Sequence, residues 1–184
     1  NNLPKSKIHV VSNGGSKYQT EIKKKIKNNY LTDKIIPHFD DYHKINKIFK
    51  LKTFDRILFI ESFNYSNDIE NLLNNCYNLL KVGGKIYIRT IIMPKTNNQF
   101  LKNKYSMIQN QLNGYIHYHD NIIYYLQNSN FYNIKYTSVP LFFSENIFNP
   151  IFLLTLNKLG LINTSYLFAA IPLTSCTYIA TKIK

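Results

Sequence analysis

The chain has 184 residues, enough for one domain with a sizeable core and too few for two comfortable ones. Hydrophobic residues make up 45%, with 15 Tyr and 12 Phe, which excludes a disordered spacer, while two cysteines, Cys76 and Cys176, are too few for a disulfide scaffold or a Cys-rich zinc module. The net charge is +13, yet only Arg56 and Arg89 are arginine, the residue of two-point phosphate and guanine recognition, so a dedicated nucleic-acid reader is disfavoured and the lysine excess fits AT-rich coding drift.

Residues 7–12, KIHVVS, form a short apolar run with β-branched members and predict a strand. Asn13-Gly14-Gly15-Ser16 punctuates it, and Ser16 is placed to cap a helix through Gln19, Ile22 and Ile26. Residues 34–37 predict a second strand, followed by the polar run Phe39-Asp40-Asp41-Tyr42-His43. Residues 54–59, FDRILF, give the clearest strand, whose near-continuous apolarity predicts burial on both faces. A helix follows from Ser66 or Asp68, with Ile69, Leu72, Leu73, Cys76 and Leu80 on one face and Gly83-Gly84 at its end. Residues 85–93, KIYIRTIIM, predict another buried strand, residues 120–128 a helix, and residues 133–139 and 176–183 two further strands. Between those last two lies an aromatic-rich stretch, 141–172, read as a lid or pocket insertion with one helix near 148–159.

That order predicts an open α/β sheet, mostly parallel, with crossover helices. No apolar run approaches the ~20 residues of a membrane-spanning helix. No basic segment followed by an apolar one opens the chain, so the expected setting is the cytoplasm. Ligands of such sheets sit beyond the carboxyl ends of the strands. Three polar loops qualify: 12–16, 39–43 and 61–68. A glycine pair lets backbone approach a ligand, and Asp40-Asp41 supplies acceptors for an amino or hydroxyl group. Glu61, directly after a buried strand, is a carboxylate that needs a partner or a function. His9, His38 and His43 lack metal-like spacing, and no metal site is expected.

Residues 54–88, FDRILFIESFNYSNDIENLLNNCYNLLKVGGKIYI, resemble the central block of class I S-adenosylmethionine-dependent methyltransferases. There a strand opening Phe-Asp leads through a polar turn to an amphipathic helix ending Leu-Lys-Pro-Gly-Gly. Phe54-Asp55 and Leu80-Lys81-Val82-Gly83-Gly84 match at the usual separation, with Val82 in place of the commoner Pro. Gly15-Ser16-Lys17-Tyr18-Gln19 resembles a turn of the small-molecule branch that includes cyclopropane-fatty-acid synthases and coclaurine-type enzymes. Leu31-Thr32-Asp33-Lys34-Ile35 and Asp41-Tyr42 are similar to that branch's route to its adenine-contacting acid. Glu61-Ser62-x-x-Tyr65 and Ile116-His117 are closer to prenyl-diphosphate C-methyltransferases.

The resemblance implies a Rossmann-like single domain that uses S-adenosylmethionine on a small, apolar acceptor. It implies Gly14, Gly15 and Gln19 by the ribose, and Phe39 with Asp40 or Asp41 by the adenine. Glu61 and Ser62 fall at the cofactor and substrate end, with Glu61, Tyr65 and His117 as catalytic candidates; His119 is a further candidate by chemistry. One departure is plain. The family's first strand and glycine-rich loop should precede Lys7, where only six residues stand, so a partner chain or a missing N-terminal segment is expected to complete the sheet. Two other readings stay open: a methyltransferase-like binding module without catalysis, and an RNA methyltransferase drawing on the +13 charge.

Overall fold

In the computed structural model, which describes residues 6–93, 95–112, 114–140 and 174–184, the chain divides into two compact units at Lys50/Leu51. In the first unit, Ile8–Val11 (β1) and Ile35–His38 (β2) pair in parallel, Ile8 beside Ile35 and Val11 beside His38. Ser16–Asn28 (α1) joins them; a 3₁₀ turn, Tyr42–Lys44, and the short helix Ile45–Ile48 (α2) follow. Gly15, not Ser16, is the N-cap of α1, with no side-chain cap. Ser16 begins the helix itself, and its carbonyl accepts the Thr20 hydroxyl at 2.9 Å. Lys25 and Lys27 in the last turn suit the negative end of the helix dipole. The core here is thin: α1 buries no residue, Ile45 is the buried apolar side chain, and His9, His38 and Phe49 pack ring on ring.

The second unit carries Phe54–Ile60 (β3), Ile69–Leu79 (α3), Leu80–Met93 (β4), Gln99–Leu112 (α4), His117–Tyr118 (β5), His119–Asn128 (α5), Phe131–Pro140 (β6) and Thr174–Lys182 (β7). Its sheet runs β3-β4-β7-β6, with β5 continuing alongside the far end of β4. β3 and β5 are parallel to β4, whereas β7 is antiparallel to both β4 and β6. The mixed α/β fold is therefore the expected one, largely parallel with an antiparallel last strand. Asp68 caps α3, its carboxylate accepting the Asn71 N–H at 3.1 Å. Leu72, Leu73, Cys76 and Leu79 bury one helical face, together with Ile86 and Ile88 of β4 and Ile122 and Leu126 of α5. Each such aliphatic side chain contributes roughly 1.5–3 kcal/mol of burial.

Three expectations need correction. The helix stops at Leu79, not at the glycine pair. Residues 81–84 instead form an excursion inside β4, between the Phe54–Leu80 and Arg56–Lys85 pairings. Gly83 takes φ +77 there, and a Cβ on Gly84 would stand 2.8 Å from the Lys81 carbonyl oxygen, so both glycines serve the bulge. Second, β3 is not covered on both faces: Phe59 is buried, but Leu58 is 59% and Ile60 64% exposed, and β3 ends the row of strands in its sheet. Third, α4 and β5 were not foreseen. The proposed insertion over 141–172 and its helix lie outside the described residues.

Candidate functional site

Within each unit, polar residues follow the carboxyl ends of its parallel strands. In the first unit, the Ser12 N–H leaves β1 to reach the His38 carbonyl at 3.0 Å, and the Ser12 hydroxyl accepts the Gly14 N–H at 3.3 Å. The Gln19 amide folds back from α1 and donates to the Gly14 carbonyl at 2.9 Å, fixing the loop. A Cβ on Gly14 would lie 2.1 Å from the Tyr18 ring, which would have to swing aside. Gly15 is different. Its φ of −60 and ψ of 169 suit any residue, and nothing lies within 4 Å of where a Cβ would be. The fold does not need that glycine; a close ligand would.

At the end of β2, the Asp40 carboxylate accepts the Asp41 N–H at 2.7 Å. Oδ1 of Asp41 accepts the His43 backbone N–H at 2.9 Å and faces the His43 ring Nδ1 at 2.7 Å. The backbone bond above all, then the side-chain bond, holds the Asp41 carboxyl below the usual carboxylate range, so it is ionised at neutral pH. The Phe39 ring lies 5.2 Å from the Lys23 ammonium. The first-unit candidates thus occupy two corners at the carboxyl ends of neighbouring parallel strands.

In the second unit, Glu61 leaves β3 with φ +56 while its N–H still bonds the Arg89 carbonyl at 2.9 Å. A left-handed conformation costs a non-glycine residue about 1–2 kcal/mol, and such strain gathers at functional corners. Its carboxylate faces the Arg89 Nε at 3.4 Å. Ser62 opens the 3₁₀ turn Phe63–Tyr65, anchored by the fully buried Phe63. The Asn64 side-chain oxygen accepts the buried Thr90 hydroxyl, and its carbonyl accepts the Tyr115 N–H at 2.6 Å. Gly114 permits that docking, because a Cβ would stand 3.0 Å from the Asn64 carbonyl oxygen and 3.3 Å from the Tyr65 ring. His117 reaches this turn through its ring, which meets Phe63 edge-on at 6.2 Å and stacks with Tyr115 at 6.3 Å. Tyr65 and Tyr115 are half exposed. Burial pushes the His117 imidazole down to about 4, and its buried Nε2 has no partner among the described residues. His117 is therefore neutral at pH 7.

His119 lies elsewhere. Its Nδ1 bonds the buried Tyr178 hydroxyl at 2.8 Å beside a cleft of about 340 Å³ lined by Asp120, Tyr124 and Tyr136. Among the described residues, no group of three or more His, Cys, Asp or Glu could hold a metal ion, and no helix is long and apolar enough to cross a membrane.

Solved structures share this architecture. Aligned over 97% of the chain and 69% of its own length is a geranyl diphosphate methyltransferase in complex with SAM, at 14% identity and a TM-score of 0.71. The fold is that of the class I S-adenosylmethionine-dependent methyltransferases. An arsenic(III) S-adenosylmethionine methyltransferase from Chlamydomonas reinhardtii aligns over 96% of the chain and 56% of its own, at 12% identity and a TM-score of 0.69. The [4+2]-cyclase SpnF aligns as well, over 97% of the chain and 66% of its own, at 12% identity and a TM-score of 0.65. No family model and no curated protein matches the sequence.

Reasoning from the sequence missed Arg89, Thr90 and Tyr115. The rarity of arginine was a usable signal for Arg89. Thr90 and Tyr115 are brought to Asn64 by tertiary structure alone.

Proposed function

We propose that the chain, as one methyltransferase-like domain, transfers a methyl group from S-adenosylmethionine to a small, apolar acceptor. The observation that carries the reading is the corner at Glu61. A strained, non-glycine carboxylate stands at the carboxyl end of a parallel strand, in a fold whose solved examples include methyltransferases. The residues suit the cofactor: Gly15 leaves its backbone open, and Asp40 and Asp41 are fixed acceptors at a strand end. Gly14, Gly15 and Gln19 are assigned to the ribose, and Phe39, Asp40 and Asp41 to the adenine. When bound, the sulfonium supplies an electrophilic methyl carbon, so the protein has mainly to align the acceptor and exclude water. Glu61 and Ser62 position the reacting end, and Tyr65 and Tyr115 offer exposed rings to an apolar acceptor. A neutral imidazole that protonates only near pH 4 is a feeble base, so His117 serves by hydrogen bonding through its unpartnered Nε2. The two free, buried thiols suit the reducing cytoplasm.

A cyclase with the same fold keeps a second reading in play, a scaffold that binds ligand without transferring methyl. Calorimetric titration with S-adenosylhomocysteine tests the cofactor assignment, and Asp41→Ala should weaken binding by about ten- to a hundredfold, as loss of a charged hydrogen bond does. Absence of any binding heat would remove the enzyme reading. Binding without methyl transfer to any prenyl or other apolar acceptor would favour the scaffold.

A further inference from the structure

The buried face of the second sheet opens before it reaches β6. Tyr178 and Cys176 of β7 are buried there, whereas Tyr136 and Ser138, their partners in register on β6, are exposed. Between α5 and β6 this leaves the cleft of about 340 Å³, walled by Ile123 and Tyr124 of the helix and by Ile134 and Tyr136 of the strand. A hollow of about 300 Å³ beside it shares His119, Asp120 and Tyr136 and extends to Lys95. The Tyr124 and Tyr136 rings are both more than half exposed, so they face the cleft without being consumed by the core.

Two features make the cleft more than a gap in packing. The first is His119, whose ring is held between those of Tyr136 and Tyr178, with centroids 4.3 and 5.5 Å away. Burial above all, then Cys176, pushes the Tyr178 hydroxyl up, so it stays protonated and able to donate to His119 Nδ1 at 2.8 Å. That bond leaves the proton of a neutral imidazole on Nε2, which has no partner among the described residues. The second feature is an ion pair: the Lys95 ammonium stands 2.5 Å from the Asp120 carboxylate, with both side chains more than half exposed. The hydrogen bond from Lys95 holds the Asp120 carboxyl below the usual carboxylate range, so both charges are present at neutral pH. An exposed pair adds little to the fold. A ligand with one charge would draw one member away and strand the other. A zwitterion whose opposite charges lie as close together satisfies both.

We propose that this cleft binds a free amino acid with an aromatic or other apolar side chain. Its carboxylate meets Lys95 and the Nε2 of His119, its ammonium meets Asp120, and its side chain lies against Tyr124 and Tyr136. None of the residues assigned to the cofactor lines the cleft, so the inference stands apart from methyl transfer.

The test uses the whole chain and three probes with one ring: phenylalanine, 3-phenylpropionate, which lacks the ammonium, and phenethylamine, which lacks the carboxylate. Binding is followed by NMR through the His119 ring signals, assigned by their loss in His119→Gln. Phenylalanine should bind best, and loss of either charged group should weaken binding about threefold, the worth of one exposed ion pair. Lys95→Gln should leave phenylalanine no tighter than phenethylamine, and Asp120→Asn no tighter than 3-phenylpropionate. Tyr124→Ala, another exposed substitution, should weaken all three. An excess of S-adenosylhomocysteine, itself an amino acid, should not displace phenylalanine. Four results would overturn the proposal: His119 signals that phenylalanine does not move, equal affinity for a probe of single charge, phenylalanine binding unchanged in both charge variants, or displacement by S-adenosylhomocysteine.

Discussion

Glu61 is the residue at which structure and chemistry pull apart. Its φ of +56 is a cost that glycine would remove. Glu61→Gly should therefore raise stability by roughly 1 kcal/mol in urea unfolding while sharply lowering methyl transfer. Loss of stability together with activity would mean the side chain is structural. His117 offers a second measurement. Its folded-state value lies near 4 while the unfolded chain keeps about 6.5, so the unfolded state binds the extra proton between those values. Stability should then fall as pH drops from about 6.5 to 4, by about 3 kcal/mol from this residue. In His117→Gln, the fall measured by urea midpoints should be shallower by that amount. The sequence showed Glu61 as exceptional because a carboxylate follows an apolar strand. It gave no hint of the bond between Asn64 and Thr90, since those partners are 26 positions apart.

Among the elements, α3 was the most legible. Its apolar spacing and Asp68 cap are local facts, and the buried set Leu72, Leu73 and Cys76 follows from them. Leu72→Ala should cost about 2–5 kcal/mol. The strand after it was misread because a glycine pair that follows an apolar helix looks like a helix stop. Only the pairing of Phe54 with Leu80 shows that the chain is already in the sheet. The glycines therefore separate cleanly by experiment. Gly84→Ala should destabilise by about 1–3 kcal/mol, because the Lys81 carbonyl leaves no room. Gly15→Ala should stay within about 0.5 kcal/mol of the parent in thermal melts and yet weaken S-adenosylhomocysteine. The exposure of Leu58 and Ile60 was beyond reach of any local pattern. An apolar run records that a strand belongs in a sheet, but not which layers lie across it.

At the scale of the molecule, the two units differ in how much they bury. The first relies on Ile45 and the contact of His9, His38 and Phe49, with the His9 Nδ1 and His38 Nε2 2.9 Å apart. Burial, then the neighbouring His38, lowers the His9 imidazole below its ordinary 6.5, so acid favours the unfolded form of this unit. Amides of β1 and β2 should exchange faster than those of α3 and β4 at pH 7, and in His9→Gln the rise of β1 and β2 exchange on acidification through about 6.5 should be smaller than in the parent. An equal rise in parent and variant would mean the His9 imidazole bears no weight.

The order of the strands also bears on how the protein is made. β7, which follows the other described strands in sequence, lies between β4 and β6, and its buried Lys182 donates to the Tyr77 carbonyl at 2.7 Å near the end of α3. Until that segment leaves the ribosome, β4 has a neighbour along only one side, and the helix terminus beside it lacks its cation. A nascent chain stalled before Thr174 should consequently be held by chaperones or cut by proteases, and the second unit should acquire resistance to digestion only once residues 174–182 have emerged.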